Sequence, residues 1–228
     1  MSGLKKLWKN DYFKTAVAII IIVAIVLGFL FGLQLALNTP NPALTVESGS
    51  MCIPYDASDN FWLSIAHPFD RTLSIGDIII VQGVNTKDLK TDYPNSDIIV
   101  FHSPDDPSTL IVHRIINTTV VDGQTYFLTK GDGNGNNNPW PEKPVSGLDP
   151  WDYNNPPGVP ADMVVGKVVL RIPWFGWITL FMRDTSWGLP VVIVLIILLV
   201  VIEFIIPMMR EKKPEEQNNQ ADQPQMSL

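Results

Sequence analysis

From Ala16 to Leu33 the chain reads "AVAIIIIVAIVLGFLFGL", a run without one charged residue, and apolar residues continue past Gln34 to Leu37. As a helix this run is long enough to cross the roughly 30 Å of hydrocarbon in a bilayer. Secretory signal peptides have a shorter apolar core and a small-residue cleavage site. This run is longer and ends in "NTPNP", so a retained anchor is expected. Lys5, Lys6, Lys9 and Lys14 precede it and only Asp11 opposes them, which places the N-terminus in the cytoplasm.

A second apolar run, "WGLPVVIVLIILLVVIEFIIPMM", extends from Trp187 to Met209, with Glu203 near its end and Arg210, Lys212 and Lys213 directly after it. The same charge rule puts this end in the cytoplasm too. The two signals agree on an even number of crossings. The expected layout is a cytoplasmic N-terminus (1–15), a transmembrane helix (16–37), an extracytoplasmic domain (38–186), a second transmembrane helix (187–209) and a polar, disordered cytoplasmic tail (210–228). The formal charge of −7 leaves no basic field for nucleic acid. A single cysteine, Cys52, excludes an intrachain disulfide. With that one thiol and three scattered histidines, His67, His102 and His113, neither a zinc cage nor a cofactor is expected.

Between the spans the sequence reads as β. "GDIIIVQ" (76–82), "SDIIVFHS" (96–103), "TLIVHRII" (109–116), "TYFLTKGD" (125–132) and "ADMVVGKVVLRIP" (161–173) are short Ile- and Val-rich runs separated by turn formers. No helical periodicity of useful length lies between the spans. The expected fold is mainly β: an antiparallel sheet domain flanked by two transmembrane helices. Polar loops interrupt it at 83–95 and 133–160, and Asn117 opens a glycosylation sequon, "NTT". "DGNGNNN" has the alternate oxygens of a calcium loop, but Asn137 and Lys143 stand where that loop needs Gly and Glu, so no metal is expected.

Three side chains could carry chemistry. Ser50 sits in "SGSM", where glycine permits a sharp turn, and at most about 45 Å of extended chain separates it from the membrane. A serine hydroxyl is a weak nucleophile until a base takes its proton. His113, in the apolar strand "LIVHRII", can accept a proton near neutral pH. Asp132, after the next strand, could orient and charge-stabilise that histidine.

In the order "SGSM", "GDIIIV", "DIIVFHSP", "LIVHRII", "FLTKGD", "VVGKVVLRIPWFGW", these motifs resemble the boxes of type I signal peptidases. The histidine of "VHR" is similar to the archaeal and endoplasmic-reticulum branch. The resemblance covers most of residues 40–178. It implies a membrane-bound serine endopeptidase that removes signal peptides from exported preproteins. Ser50 would be the nucleophile and His113 the general base. Asp132 would match the first aspartate of the "GDNN" box. The Ser48 hydroxyl and the Ser50 backbone N–H would form the oxyanion hole. Preprotein signal peptides and the lipid bilayer are the implied partners, with a translocation channel as a further one.

The chain departs from the family at three places. "SMCIP" has two residues, Cys52 and Ile53, where the family has one. The link at 55–77, with Phe61, Trp62 and Leu63, is longer than usual. The second family aspartate falls on Asn138, so the acidic role rests on Asp132, or on Asp149 or Asp152 folding in from the long loop. "IPWFGWITLFMRDTSW" supplies Trp174, Phe175, Trp177, Phe181 and Trp187, suited to a membrane interface. The alternatives are an anchored non-enzymatic β module that binds exported or surface proteins, and a related processing protease with narrow substrates.

Overall fold

In the computed structural model, residues 11–52, 73–103, 105–135, 146–151 and 158–202 are described. The chain divides into two compact units, residues 1–177 and 178–228. The first opens with helix α1, Asp11–Ala36. Its apolar stretch Ala16–Ala36 is long and apolar enough to cross a membrane, and none of it is buried against protein.

Seven strands follow: β1 (Ala43–Thr45), β2 (Ile78–Gln82), β3 (Ile98–His102), β4 (Leu110–Val121), β5 (Gln124–Lys130), β6 (Val159–Pro160) and β7 (Val164–Ile172). They form one sheet in the order β1-β2-β7-β3-β4-β5-β6, and every pairing is antiparallel. The mainly β, antiparallel architecture expected from the Ile- and Val-rich runs is the one found. β3 lies inside the sheet and explains its unbroken "IIVF". Ile98 and Val100 join a core with Met51, Leu73, Ile79, Val81 and Val168. Ile99 and Phe101 point to the other face and pack with Leu89, Ile115, Phe127 and Val159. A strand covered on both sides has no position for a polar side chain. β4 and β5 form a hairpin through Asp122 and Gly123, both at positive φ, the backbone that a tight two-residue turn between twisted strands requires.

Two short strands, β1 and β6, and a helix, Gly176–Asp184 (α2), were not expected. Two or three strand residues show no alternation, and nine helical residues barely exceed two turns. In the second unit, helix α3, Gly188–Val200, is apolar throughout but has 13 residues, about 20 Å of rise. It is therefore a shorter apolar helix than the span expected at 187–209, whose last residues lie outside those described.

Candidate active site

Ser50 lies in a single helical turn, Gly49–Met51, that leaves β1 and is pinned from below by Met51, 2% exposed. The Gly133 N–H donates to the Ser50 carbonyl at 2.8 Å, and the Asp132 N–H points at Met51 Sδ at 3.4 Å. The loop after β5 therefore holds the serine turn through its backbone. Gly131 is required there: a Cβ at this position would collide with the Ser50 carbonyl and lie 2.8 Å from His113 Nε2.

His113 comes from β4, opposite Ile99 of β3, and is 6% exposed. Its Nε2 is 3.0 Å from Ser50 Oγ, although 63 residues separate the two. Its Nδ1 is 2.5 Å from Asp149 Oδ2. A carboxylate only accepts, so Nδ1 carries the proton and donates to Asp149. Nε2 of the neutral ring is then an acceptor, and Ser50 Oγ–H donates to it. Ser48 Oγ lies 3.2 Å from Ser50 Oγ.

Asp149 is held by Thr129 from both ends. The Thr129 hydroxyl donates to Asp149 Oδ2 at 2.7 Å, and the Asp149 N–H donates to the Thr129 carbonyl at 2.9 Å. A bridge between Lys130 and Leu148 ties the same loop to the end of β5. Thr129 was not anticipated, because nothing in "FLTKGD" distinguishes a positioning hydroxyl from an ordinary strand threonine.

Asp132, expected to orient His113, is held by Arg114 instead, and the carboxylate against His113 is Asp149, one of the two alternatives named from the sequence. Arg114 Nε and Nη2 donate to its two oxygens at 2.8 and 3.0 Å, while Nη1 donates to the Ser96 carbonyl at 2.6 Å. Arg114 is fully buried, and successive β4 side chains point to opposite faces, so His113 and Arg114 each take a different carboxylate. Lys130, opposite Arg114 across the strands, is also buried. Burial pulls its pKa down, with Asp132 and Asp149 opposing that shift. The Tyr93 phenol beside this group is pushed up by burial and by the charge of Asp132. Asp152 and Asn138 lie outside the described residues, as do His67, Phe61, Trp62, Leu63 and most of the possible calcium loop.

Ser50 and His113 open into a cleft of about 630 Å³ walled by Leu44, Val46, Ile111 and Trp151 among others. Two strand edges flank it. Among the described residues β1 pairs only with β2. Leu110–His113 pairs with β3 alone, because the β4–β5 register begins at Arg114. Both edges are thus left unpaired by any other strand among the described residues.

No family model matches this chain. Relatives do occur among curated proteins. The signal peptidase complex catalytic subunits SEC11 of Pyricularia oryzae and sec11 of Neurospora crassa are each 27% identical over 156 residues, 68% of this chain and 72% of the relative. The corresponding subunit of Chaetomium globosum is 28% identical over the same shares. The resemblance carried by the motifs and the relatives found by comparison lead to one group of proteins: this chain is similar to the catalytic subunits of signal peptidase complexes.

Proposed function

We propose that this chain is a membrane-anchored serine endopeptidase that removes signal peptides from exported preproteins. The observation that carries the reading is the Ser50–His113–Asp149 relay, in which residues distant in sequence share two hydrogen bonds in a cleft. Ser50 Oγ attacks the carbonyl carbon at the cleavage site while His113 Nε2 takes its proton. Asp149 keeps the ring in the required tautomer and stabilises the imidazolium. The oxyanion accepts from the Ser50 backbone N–H and the Ser48 hydroxyl. His113 passes the proton to the leaving amine, the C–N bond breaks, and an acyl-Ser50 ester remains. Water then attacks the ester, losing its proton to His113, and Ser50 is restored.

The substrate is an extended segment that pairs with the free edges of β1 and of Leu110–His113, a strand-addition mode. An apolar cleft with a few polar groups suits small residues before the scissile bond. Helix α1 anchors the domain, and α3 with its C-terminal continuation makes a second crossing. Both termini are then cytoplasmic and the β domain extracytoplasmic. The relatives are named as catalytic subunits of a complex, and association with other subunits or a translocation channel is the corresponding proposal here.

The test is cleavage of a preprotein by the full chain in detergent. Ser50→Ala and His113→Ala should each reduce turnover by about 10⁶-fold. Parental cleavage by either variant would show the mechanism to be wrong. An intact preprotein retained by the unmodified chain would point instead to a binding module.

A further inference from the structure

Trp151 lies two residues after Asp149 and is part of the cleft wall that holds Ser50 and His113. Its ring meets Phe101 edge-on at 6.2 Å and 77°, and Phe101 meets the His113 ring at 6.4 Å and 68°. Its carbonyl accepts from the Gly158 N–H at 2.9 Å, so its backbone is fixed as well. The indole Nε1 is buried and has no hydrogen-bond partner among the described residues. An unsatisfied buried donor is costly, and phenylalanine would fill an apolar contact without one. What the indole adds is bulk, in the wall of the cleft that holds Ser50 and His113.

We propose that Trp151 is a specificity-determining residue that restricts the cleft to peptides with small side chains just before the scissile bond; this rests on the peptidase reading above. Alternate residues of an extended peptide point to the same face. The restricted position is therefore the residue immediately before the bond or the one two places earlier, and one bulky wall closes the space beneath it. Relief of a hydrophobic-pocket clash by even one methylene is worth about tenfold or more in kcat/KM.

The experiment uses the full chain in detergent and four peptides spanning a cleavage site, with Ala or Leu at each of those two positions. The readout is the Leu-to-Ala ratio of kcat/KM, in which any loss of folded enzyme cancels. Trp151→Ala should raise that ratio by about tenfold or more at one position. Trp151→Phe, which keeps an aromatic ring against Phe101 but loses the extra bulk of the indole, should shift it in the same direction by less. Trp151→Leu gives an intermediate shift and serves if the alanine variant does not fold. Ratios unchanged in all three variants, with Ala peptides still cleaved, would overturn the role of Trp151 and leave the peptidase reading standing. Failure of the parent to cleave any of the four peptides would remove both.

Discussion

At the residue scale, two aspartates compete for one description. Asp149 has a histidine and a threonine hydroxyl on one oxygen, whereas Asp132 has a fully buried guanidinium across both. Removing the charge should therefore have opposite consequences at the two positions. Asp149→Asn leaves the shape intact but can donate to His113 Nδ1, which favours the wrong tautomer. Its kcat should fall by about 10³–10⁴-fold with little change in melting temperature. Asp132→Asn leaves Arg114 buried without a counter-charge, a loss of about 3–5 kcal/mol. Its melting temperature should drop, with turnover per folded molecule far closer to the parent's. Thermal melts alongside preprotein cleavage check both, and the reverse pattern would return the orienting role to Asp132. Neighbours alone make Ser50 a turn serine and His113 a strand histidine; the resemblance of "SGSM" and "LIVHRII" to signal peptidase boxes singles them out, and the fold brings them within 3.0 Å. The choice between carboxylates could not be read from the sequence. It depends on which strand face each loop approaches, and a 28-residue loop leaves that open until tertiary contacts form.

At the scale of elements, the site depends on two backbones lying in contact. The loop after β5 crosses beneath the Gly49–Met51 turn so closely that Gly131 has no room for a Cβ beside the Ser50 carbonyl and His113 Nε2. Gly131→Ala must displace the serine turn or the imidazole. A displacement of about 1 Å costs roughly 10²-fold in rate, and the loss should appear in kcat at saturating peptide. Gly123 is the control. Its φ is +80 in the β4–β5 turn, yet a Cβ there meets nothing within 4 Å. Gly123→Ala should lower the melting temperature through backbone strain alone, by an amount worth about 1–2 kcal/mol, and leave kcat unchanged. Equal loss of turnover in both variants would mean that the contact at Gly131 does not position the nucleophile. Long strands were legible because "IIIV", "IIVF" and "LIVHRII" are short β-branched runs bounded by turn formers, unlike the long uninterrupted run of α1. β1 and β6 are defined instead by their pairing partners, β2 and β5, and two or three residues carry too little pattern to show it.

At the scale of the whole molecule, the charge pattern and the helices make different demands on the C-terminal end. By the positive-inside rule Arg210, Lys212 and Lys213 favour a cytoplasmic end, yet the 13 residues of α3 rise only about 20 Å against roughly 30 Å of hydrocarbon. A second crossing therefore depends on the apolar residues after Val200 continuing the helix. The cysteine content makes this directly testable. Cys52 is the only cysteine in the sequence, is partly exposed, and lies two residues from Ser50. On the proposed layout, a membrane-impermeant maleimide should label Cys52 in intact cells. In a Cys52→Ser background, a reporter introduced as Ser227→Cys should react only after the membrane is opened. Labelling of that reporter from outside would mean one crossing, with α3 packed at the outer surface, and it would leave the site's chemistry untouched. Protection of Cys52 in intact cells together with exposure of the tail reporter would invert the orientation of the entire chain. The cleft would then face the cytoplasm, away from any exported substrate, and signal-peptide removal would no longer be a tenable reading of the Ser50–His113–Asp149 relay.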